Sequence, residues 1–416
     1  MNWVVDMALR NIKRNKRRTI LAAASIALSV MLMTFLGGFV NGILDNMVRN
    51  LTRSETGHVR VVTRGYEARS RFMPVDELVP DPEAVLAAIA DIPELKGQVT
   101  VASQRLVFGT LLSNGPSTKV AMGLAGDPEN EKSLLNLDRS IAAGRYLSAP
   151  GEAILGERLA ADLGFKPGDV MRVVTQGADY GLRLKRFTVV GVFKSGLSAL
   201  DSGVFQIPVS DAKEFLRTDG GVQQITVMLD DYREADQAAA LIGAAIAGLP
   251  GAEELLVQPW TAIGDYPRII SMMASIYEWI YFVVAFLGAF IITNILMMVV
   301  LERRKEIGIL KALGLKRREV LALFLAEGGV LGAIGSGIGA VLGLGLCYVF
   351  SIYGMDFSAA MSSLDFPIDP VFYARFNPLD GLKMFAIGLF VSVLMSFMPS
   401  RRAATMNAVD AIKSVA

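Results

Sequence analysis

The 416 residues carry 41 Lys and Arg against 40 Asp and Glu, a net charge of +1, so the chain lacks the basic footprint of a nucleic-acid-binding protein. Hydrophobic residues make up 52% and the mean hydropathy is +0.44, an apolar surplus that points to membrane segments rather than a wholly soluble chain. A single cysteine, Cys347, and a single histidine, His58, provide neither a disulfide framework nor a zinc-ligand cluster.

Residues 1–18 read as a cytoplasmic interfacial helix. Trp3, Val4, Met7, Ala8 and Ile12 share one helical face, while Asp6, Arg10, Lys13, Arg14 and Arg17 fall largely elsewhere, a pattern suited to an anionic inner leaflet. Residues 19–44 hold no charge over 26 positions, more than the roughly 20 needed to cross a hydrocarbon core. A cleavable signal peptide is the competing reading, but the run is too long for an h-region, so a retained first span is expected.

Residues 45–275 alternate short apolar runs with turn signals and read as an α+β domain. Strands are expected over 57–63, 99–108, 119–124, 170–175, 186–193 and 224–229. Helices are expected over 82–92, 152–163 and 232–247, the first with Asp81 as N-cap and Pro82 at N1. Asn114-Gly115-Pro116 marks a turn between strands, and Gly164 ends a helix. His58 after a glycine is expected to be structural or solvent-facing.

A second span is expected over 276–301, in which residues 279–301 are uncharged. A cytoplasmic loop follows over 302–319, a third span over 320–350, an outer loop over 351–381, a fourth span over 382–400 and a tail over 401–416. Basic residues number six before Thr19, seven in the 302–319 loop and three after Ser400, whereas the 351–381 loop holds Arg375 alone against four aspartates. The positive-inside rule therefore puts both termini and the 302–319 loop in the cytoplasm and the 45–275 domain outside. The fold class is an α-helical membrane protein with four transmembrane helices and a large α+β periplasmic domain inserted between the first two.

Within the third span, Gly328, Gly332, Gly335, Gly339 and Gly343 form small-xxx-small grooves for helix packing, against another span of this chain or a second subunit. Glu327 is the one acidic or basic residue of that span, which makes it a functional candidate; the structural reading is that it reaches the interface or pairs with Arg317 or Arg318. In the loop, Ile307, Leu310 and Leu313 recur at helical spacing and Gly314 can end a short helix. Such a helix, with one apolar edge and many charges, suits docking into a cleft of a soluble partner. No G-x-x-x-x-G-K-[ST] or G-x-S-x-G motif occurs, so no nucleotide-hydrolysing loop or nucleophile elbow is expected here.

The run E-R-R-K-E-I-G-I-L-K-A-L-G at 302–314, P-S-R-R-A-A at 399–404 with a short helix expected over 409–415, and A-L-R-N-I-K-R-N-K-R-R-T at 8–19 resemble the FtsX-type (MacB-like) permease module of four-span ABC transporters. The resemblance implies that Glu302, Arg303, Arg304, Glu306, Ile307, Leu310, Lys311, Leu313 and Gly314 form a coupling helix seated on a separate ATPase dimer. ATP and Mg would be bound by that partner and no cofactor by this chain. It also implies mechanotransmission, in which two permease subunits, a second copy or a paralogue, carry motion along the first two helices to the outer domain.

F-V-N-G-I at 39–43, G-H-V-R-V at 57–61, A-I-L-G-E-R-L-A-A-D-L-G-F-K-P-G-D at 153–169, F-T-V-V-G-V-F at 187–193 and V-Q-P-W at 257–260 are most similar to lipoprotein-releasing permeases of the Lol C/E type. That similarity implies extraction of lipoproteins from the inner membrane toward a periplasmic carrier, with membrane lipid at an entrance near Phe35, Phe39, Ile43, Ile276 and Ile280. The alternatives are MacB-like tripartite efflux of peptides or small amphiphiles through an adaptor, and FtsX-like signalling to a periplasmic hydrolase.

Overall fold

The computed structural model describes residues 7, 10, 16–357 and 371–407. Most of the interfacial helix expected over 1–18, the middle of the 351–381 loop and the tail helix expected over 409–415 lie outside them. The chain forms two compact units: one takes the chain up to Asn46 with Ser271–Asp356 and the residues from Val371, the other Met47–Ile270. The boundaries at Asn46/Met47 and Ile270/Ser271 fall inside continuous helices.

The first helix, α1 (Lys16–Leu51), widens at its end into a π turn, Thr52–Thr56, where the Gly57 N–H donates to Thr52 O at 2.6 Å. A helix end leaves carbonyls without intrahelical partners. Here the Arg105 guanidinium donates to Ser54 O (3.3 Å) and Arg53 O (3.4 Å). The same guanidinium meets Glu131 in two hydrogen bonds of 3.1 and 2.8 Å, both side chains being fully buried. Two charges taken out of water are stable only when so fully paired.

The large domain follows in the order β1 (Val59–Thr63), α2 (Arg64–Arg69), α3 (Pro82–Ala90), β2 (Val99–Ser113), β3 (Thr118–Gly126), α4 (Pro128–Leu135), β4 (Ile141–Gly144), β5 (Glu152–Gly156), α5 (Glu157–Leu163), β6 (Val170–Gln176), β7 (Leu182–Phe193), α6 (Ser198–Gly203), β8 (Val204–Pro208), α7 (Val209–Leu216), β9 (Gln224–Leu229), α8 (Ala235–Ile246) and β10 (Leu255–Pro259). The strands make one ten-stranded sheet, β10-β1-β9-β2-β3-β8-β5-β7-β4, with β6 bridging β2 and β7. Pairing is antiparallel except for β3 with β8 and β5 with β7. On β2 the even positions Phe108 and Leu112 face the core, where Phe108 meets Phe205 and Phe215 edge-on. The odd positions Val107, Gly109 and Leu111 lie on the opposite face.

Asp81 caps α3 by accepting the Ala84 N–H at 3.0 Å, with Pro82 at N1 as expected. The Asn114 side-chain Oδ1 accepts the Ser117 N–H at 2.8 Å and so closes the β2–β3 turn. The helix expected over 152–163 is a strand and then a helix. Glu152 accepts the Ser148 and Ala149 N–H groups and pairs with Arg145, while Ile154 and Leu155 sit fully buried between β7 and β8. A central strand buried on both faces has no alternation, so periodicity could not separate it from the helix beyond. Three further strands of the domain, β4, β8 and β10, belong to stretches for which the pattern gave no strand.

The membrane unit continues with α9 (Tyr266–Glu302), α10 (Arg304–Ala312), α11 (Arg317–Tyr353), a two-residue ladder of β11 (Met355–Asp356) with β12 (Val371–Phe372), and α12 (Pro378–Thr405). Four of these helices, α1, α9, α11 and α12, are long and apolar enough to cross a membrane. At 36 and 37 residues, α1 and α9 reach about 54 Å at about 1.5 Å per residue, far beyond a hydrocarbon core of about 30 Å.

The glycine grooves of α11 are filled within the chain. A Cβ at Gly335 would stand 2.7 Å from Ile26 Cβ and one at Gly343 2.6 Å from Thr34 Cβ, while Gly339 lies against Ala27 O; all three neighbours are on α1. Gly328 and Gly332 instead face Ser396 and Ser392 of α12, and Ser392 Oγ donates to Gly328 O at 3.0 Å. Close approach of backbones supplies the packing that the hydrophobic effect cannot supply in lipid. Cys347, 1% exposed, rests its Sγ 3.6 Å from Thr34 O on the same seam.

Candidate functional site

The loop between α9 and α11 carries seven basic residues together with exposed apolar side chains. Its helix, α10, ends where Gly314 takes φ +99°, a left-handed conformation open to glycine. Lys316 N–H then donates to the Glu319 carboxylate at 2.8 Å, which starts α11.

One face of α10 is locked down. Ile307, 1% exposed, packs into a cluster with Val300, Val320, Phe324, Ala403 and Ala404. Arg303 donates through Nη1 to both oxygens of Glu327 at 3.0 and 3.2 Å, and its Nε lies 3.2 Å from Glu306. Both Arg303 and Glu327 side chains are 7% exposed. Lys311 Nζ donates to Ala404 O at 2.8 Å and to Met406 O, the carbonyls at the end of α12. A cation there meets the negative end of the helix and satisfies acceptors that the ladder leaves free. Burial, and then the charge of Arg317, hold the Lys311 pKa below the usual lysine range.

The other face is open. Ile309 is 52% exposed and Leu313 76%, four residues apart and so neighbours on the helix surface. Glu302, Arg304, Lys305, Glu306, Ala312 and Gly314 are exposed around them. Of the residues expected to form the coupling helix, the structure therefore turns Arg303, Ile307 and Lys311 inward, leaves Leu310 half-buried, and exposes Glu302, Arg304, Glu306, Leu313 and Gly314. The outward apolar edge is Ile309 with Leu313 rather than the Ile307-Leu310-Leu313 row. Glu327 finds neither Arg317 nor Arg318 but Arg303, because the third span brings it beneath the break between α9 and α10.

The residues expected at a substrate entrance are split. Phe35 stacks on Phe39 at 6.1 Å and tilts against Phe350 of α11 at 5.5 Å, so this pair faces the third span. Ile43 is half-buried on α1. Ile276 and Ile280 are 46% and 39% exposed on α9, with Trp279, Phe282 and Phe286 exposed beside them. The contact between α9 and α1 runs elsewhere, where Tyr281 Oη donates to Leu36 O at 3.3 Å and Gly288 lies against Ser29.

Among the described residues no group of three or more His, Cys, Asp or Glu could hold a metal ion. His58 is buried at 5% exposure and accepts the Leu229 N–H through Nδ1 at 2.9 Å. Burial, then the nearby Arg53 charge, push its pKa down to about 4. Its role is structural, not that of a base.

Residues 19–245 match the MacB-like periplasmic core domain family, and residues 279–408 match the FtsX-like permease C-terminal family. The chain belongs to the MacB-like, FtsX-type permease family. It is similar to the lipoprotein-releasing system transmembrane protein LolC of Xylella fastidiosa strain Temecula1, 27% identical over 304 residues that cover 69% of this chain and 71% of LolC. It is also similar to the macrolide export ATP-binding/permease protein MacB of Wolinella succinogenes, 25% identical over 427 residues that cover 99% of this chain and 60% of MacB. The crystal structure of the periplasmic region of MacB from Actinobacillus actinomycetemcomitans superposes with a TM-score of 0.38 at 14% identity, over 55% of this chain and 97% of that region. The protein is thus an ABC transporter permease of the LolC/MacB/FtsX type, a multi-pass membrane protein whose ten-stranded domain is the MacB-like periplasmic core domain.

Proposed function

We propose that this chain is the non-catalytic transmembrane subunit of a mechanotransmission ABC transporter in a bacterial inner membrane, with both termini cytoplasmic. A separate ATPase dimer, holding ATP and Mg, seats on α10 of two permease subunits, which are two copies of this chain or this chain and a paralogue. The observation that carries the reading is the two-faced α10. Its inner face is locked to Glu327 and the end of α12, and its outer face presents Ile309 and Leu313 inside a ring of charge. A rigid back and an open apolar edge let a push on the helix pass to α11 and α12 instead of being absorbed locally.

The substrate in this reading is a lipoprotein passed to a periplasmic carrier. The similarity to LolC supports it, and so does the physics of release. Each buried CH₂ of an acyl chain holds about 0.8 kcal/mol, so a multiply acylated protein leaves the membrane only when driven. Phe35, Phe39, Ile43, Ile276 and Ile280 stand as the apolar residues nearest such an entrance. The alignment of MacB along 99% of this chain favours a second reading, export of amphiphiles through an adaptor and channel.

The test is purification of the full chain from its own membrane in mild detergent, with mass spectrometry of what remains bound. A stand-alone ABC ATPase together with acylated proteins is the expected result, and Leu313→Asp should lose the ATPase while keeping the acylated proteins. Recovery of the ATPase with a channel adaptor and no lipoprotein moves the assignment to export. No ATPase even in a trapped ATP state overturns the role of α10.

A further inference from the structure

The two helices that run into the periplasmic core domain are fastened to it differently. At the end of α1, three successive carbonyls are taken by side chains of the sheet. Arg53 O and Ser54 O accept from Arg105 at 3.4 and 3.3 Å, and Glu55 O accepts from Gln224 Nε2 at 3.4 Å. Arg105 of β2 and Gln224 of β9 are directly opposed in the register and so share one face of two interior strands. Their exposures are 0% and 3%. Helix-end carbonyls are ordinarily left to water or to a local turn, and a buried cation at this end also meets the negative pole of the helix.

Arg105 is itself held. Glu131 of α4 grips it in two hydrogen bonds, and Gly126 lets that carboxylate pass, since a Cβ there would collide with Glu131 Oε1. Asp127 caps α4 by accepting the Glu129 and Asn130 N–H groups at 3.0 and 3.2 Å, so the helix that carries Glu131 starts at a fixed point. Any rotation about residues 53–55 would strand a fully buried guanidinium and free three acceptors. The entry to α9 is built the other way. Thr261, Ala262, Gly264 and Asp265 are exposed. The bonds from Ile263 N–H to Trp260 O (3.3 Å) and from Ile269 N–H to Asp265 O (3.1 Å) stay within the turn. Gly264 takes φ +63°, and a Cβ on it would meet nothing within 4 Å. A hinge is a site that can change φ and ψ without losing buried contacts.

We infer that Arg105 is a positioning residue of the ATP-driven stroke. With Gln224 it clamps the end of α1 to the sheet, so that the two move as one body, and the turn at Gly264 takes up the rotation where α9 joins. The inference deepens the proposed function and rests on the stroke that function supplies. The two connecting helices then have unequal parts, since α1 pushes and α9 follows. An apolar contact would hold α1 as firmly, because a buried ion pair gains little over well-packed side chains of the same volume. What the guanidinium adds is direction: its planar fork meets Glu131 and the two helix carbonyls in a single geometry.

The experiment uses the full chain in lipid nanodiscs with the ABC ATPase that copurifies with it. It reads amide hydrogen exchange by mass spectrometry, without nucleotide and with ATP trapped by vanadate. In the parent protein, peptides over residues 262–268 should change their exchange on trapping, and peptides over 50–58 should not. Arg105→Met with Glu131→Leu removes both charges and should keep the thermal midpoint, yet exchange over 50–58 should rise roughly tenfold and become nucleotide-dependent. Gln224→Leu, which leaves the ion pair whole, should show the same change in smaller measure, and it decides the matter if the double variant does not fold. A purely structural clamp would raise exchange over 50–58 equally in both states, which overturns the inference, as does nucleotide dependence there in the parent or none over 262–268. ATPase retained with any of these results removes the role of Arg105 alone, whereas a chain that copurifies with no ATPase loses the proposed function first, and the transmission role with it.

Discussion

Arg303 and Glu327 illustrate how one buried pair can decide the behaviour of a loop. Each is 7% exposed and the pair is held at 3.0 and 3.2 Å. Removing one partner strands the other, at a cost of about 3–5 kcal/mol, while replacing both with apolar residues is often neutral. Arg303→Met should therefore lower the thermal midpoint markedly, and Arg303→Met with Glu327→Leu should recover most of the loss. The same double variant should keep its stability yet couple poorly, measured as ATPase stimulation, if the ion pair serves register more than strength. His58 gives a pH prediction. Its folded pKa of about 4 lies below the unfolded value of 6.5, so the unfolded chain binds more protons between these values. Stability is complete above about pH 6.5 and falls as pH drops toward about 4, by about 3 kcal/mol at most. His58→Gln should flatten that decline in thermal melts recorded across the interval. From sequence, a lone histidine after a glycine was readable as structural or solvent-facing, and its burial decides between the two. The partner of Glu327 was not, because the choice among Arg303, Arg317 and Arg318 depends on where a turn breaks between two helices.

At the scale of elements, the glycine grooves were fully legible as packing surface, and only their occupants needed three dimensions. Spacing identifies a groove but not which neighbour fills it. Here one helix serves two partners, α1 through Gly335, Gly339 and Gly343, and α12 through Gly328 and Gly332. Gly339→Ala should be strongly destabilising, since its methyl would press on Ala27 O, whereas Gly345→Ala meets nothing within 4 Å and should gain up to about 1 kcal/mol of helix propensity. Thermal melts of the two variants, expected to move in opposite directions, check this. The strands β2 and β6 were legible from their alternation, and β1 and β9 from apolar runs next to turn signals, whereas β5 and β8, with every residue in the interior, were not. The helix α10 was legible as a helix, but which of its faces points outward was not. Ile307 and Ile309 are equally apolar, and only contact with Phe324 and Ala403 turns the first inward.

For the whole molecule, the notable geometry is that two of the boundaries between the units fall within helices, α1 between Asn46 and Met47 and α9 between Ile270 and Ser271. An uninterrupted helix transmits displacement along its axis, and a flexible insert absorbs it. Insertion of four residues of Gly and Ser after Asn46 should leave the ATPase bound and ATP hydrolysed while abolishing substrate release in reconstituted vesicles. Equal loss of ATPase binding would show that the insert disturbed assembly instead. The four-span plan and the α+β insertion were legible because charge asymmetry and hydropathy act over tens of residues. The clamp on the end of α1 was not, since Arg105 and Gln224 sit on β2 and β9, strands that become neighbours only once the register is set.

Cys347 offers an experimental opening. It is the sole thiol of the chain, shielded between two helices and 1% exposed. Probes that react with sulfhydryls in water should therefore pass the native protein by, and any cysteine added at the surface becomes the one labelled position. Spin labels or donor–acceptor dyes placed at Leu313 and at Leu184 would then serve as molecular rulers, reporting distances through the ATP cycle in a protein whose native sequence needs no prior editing.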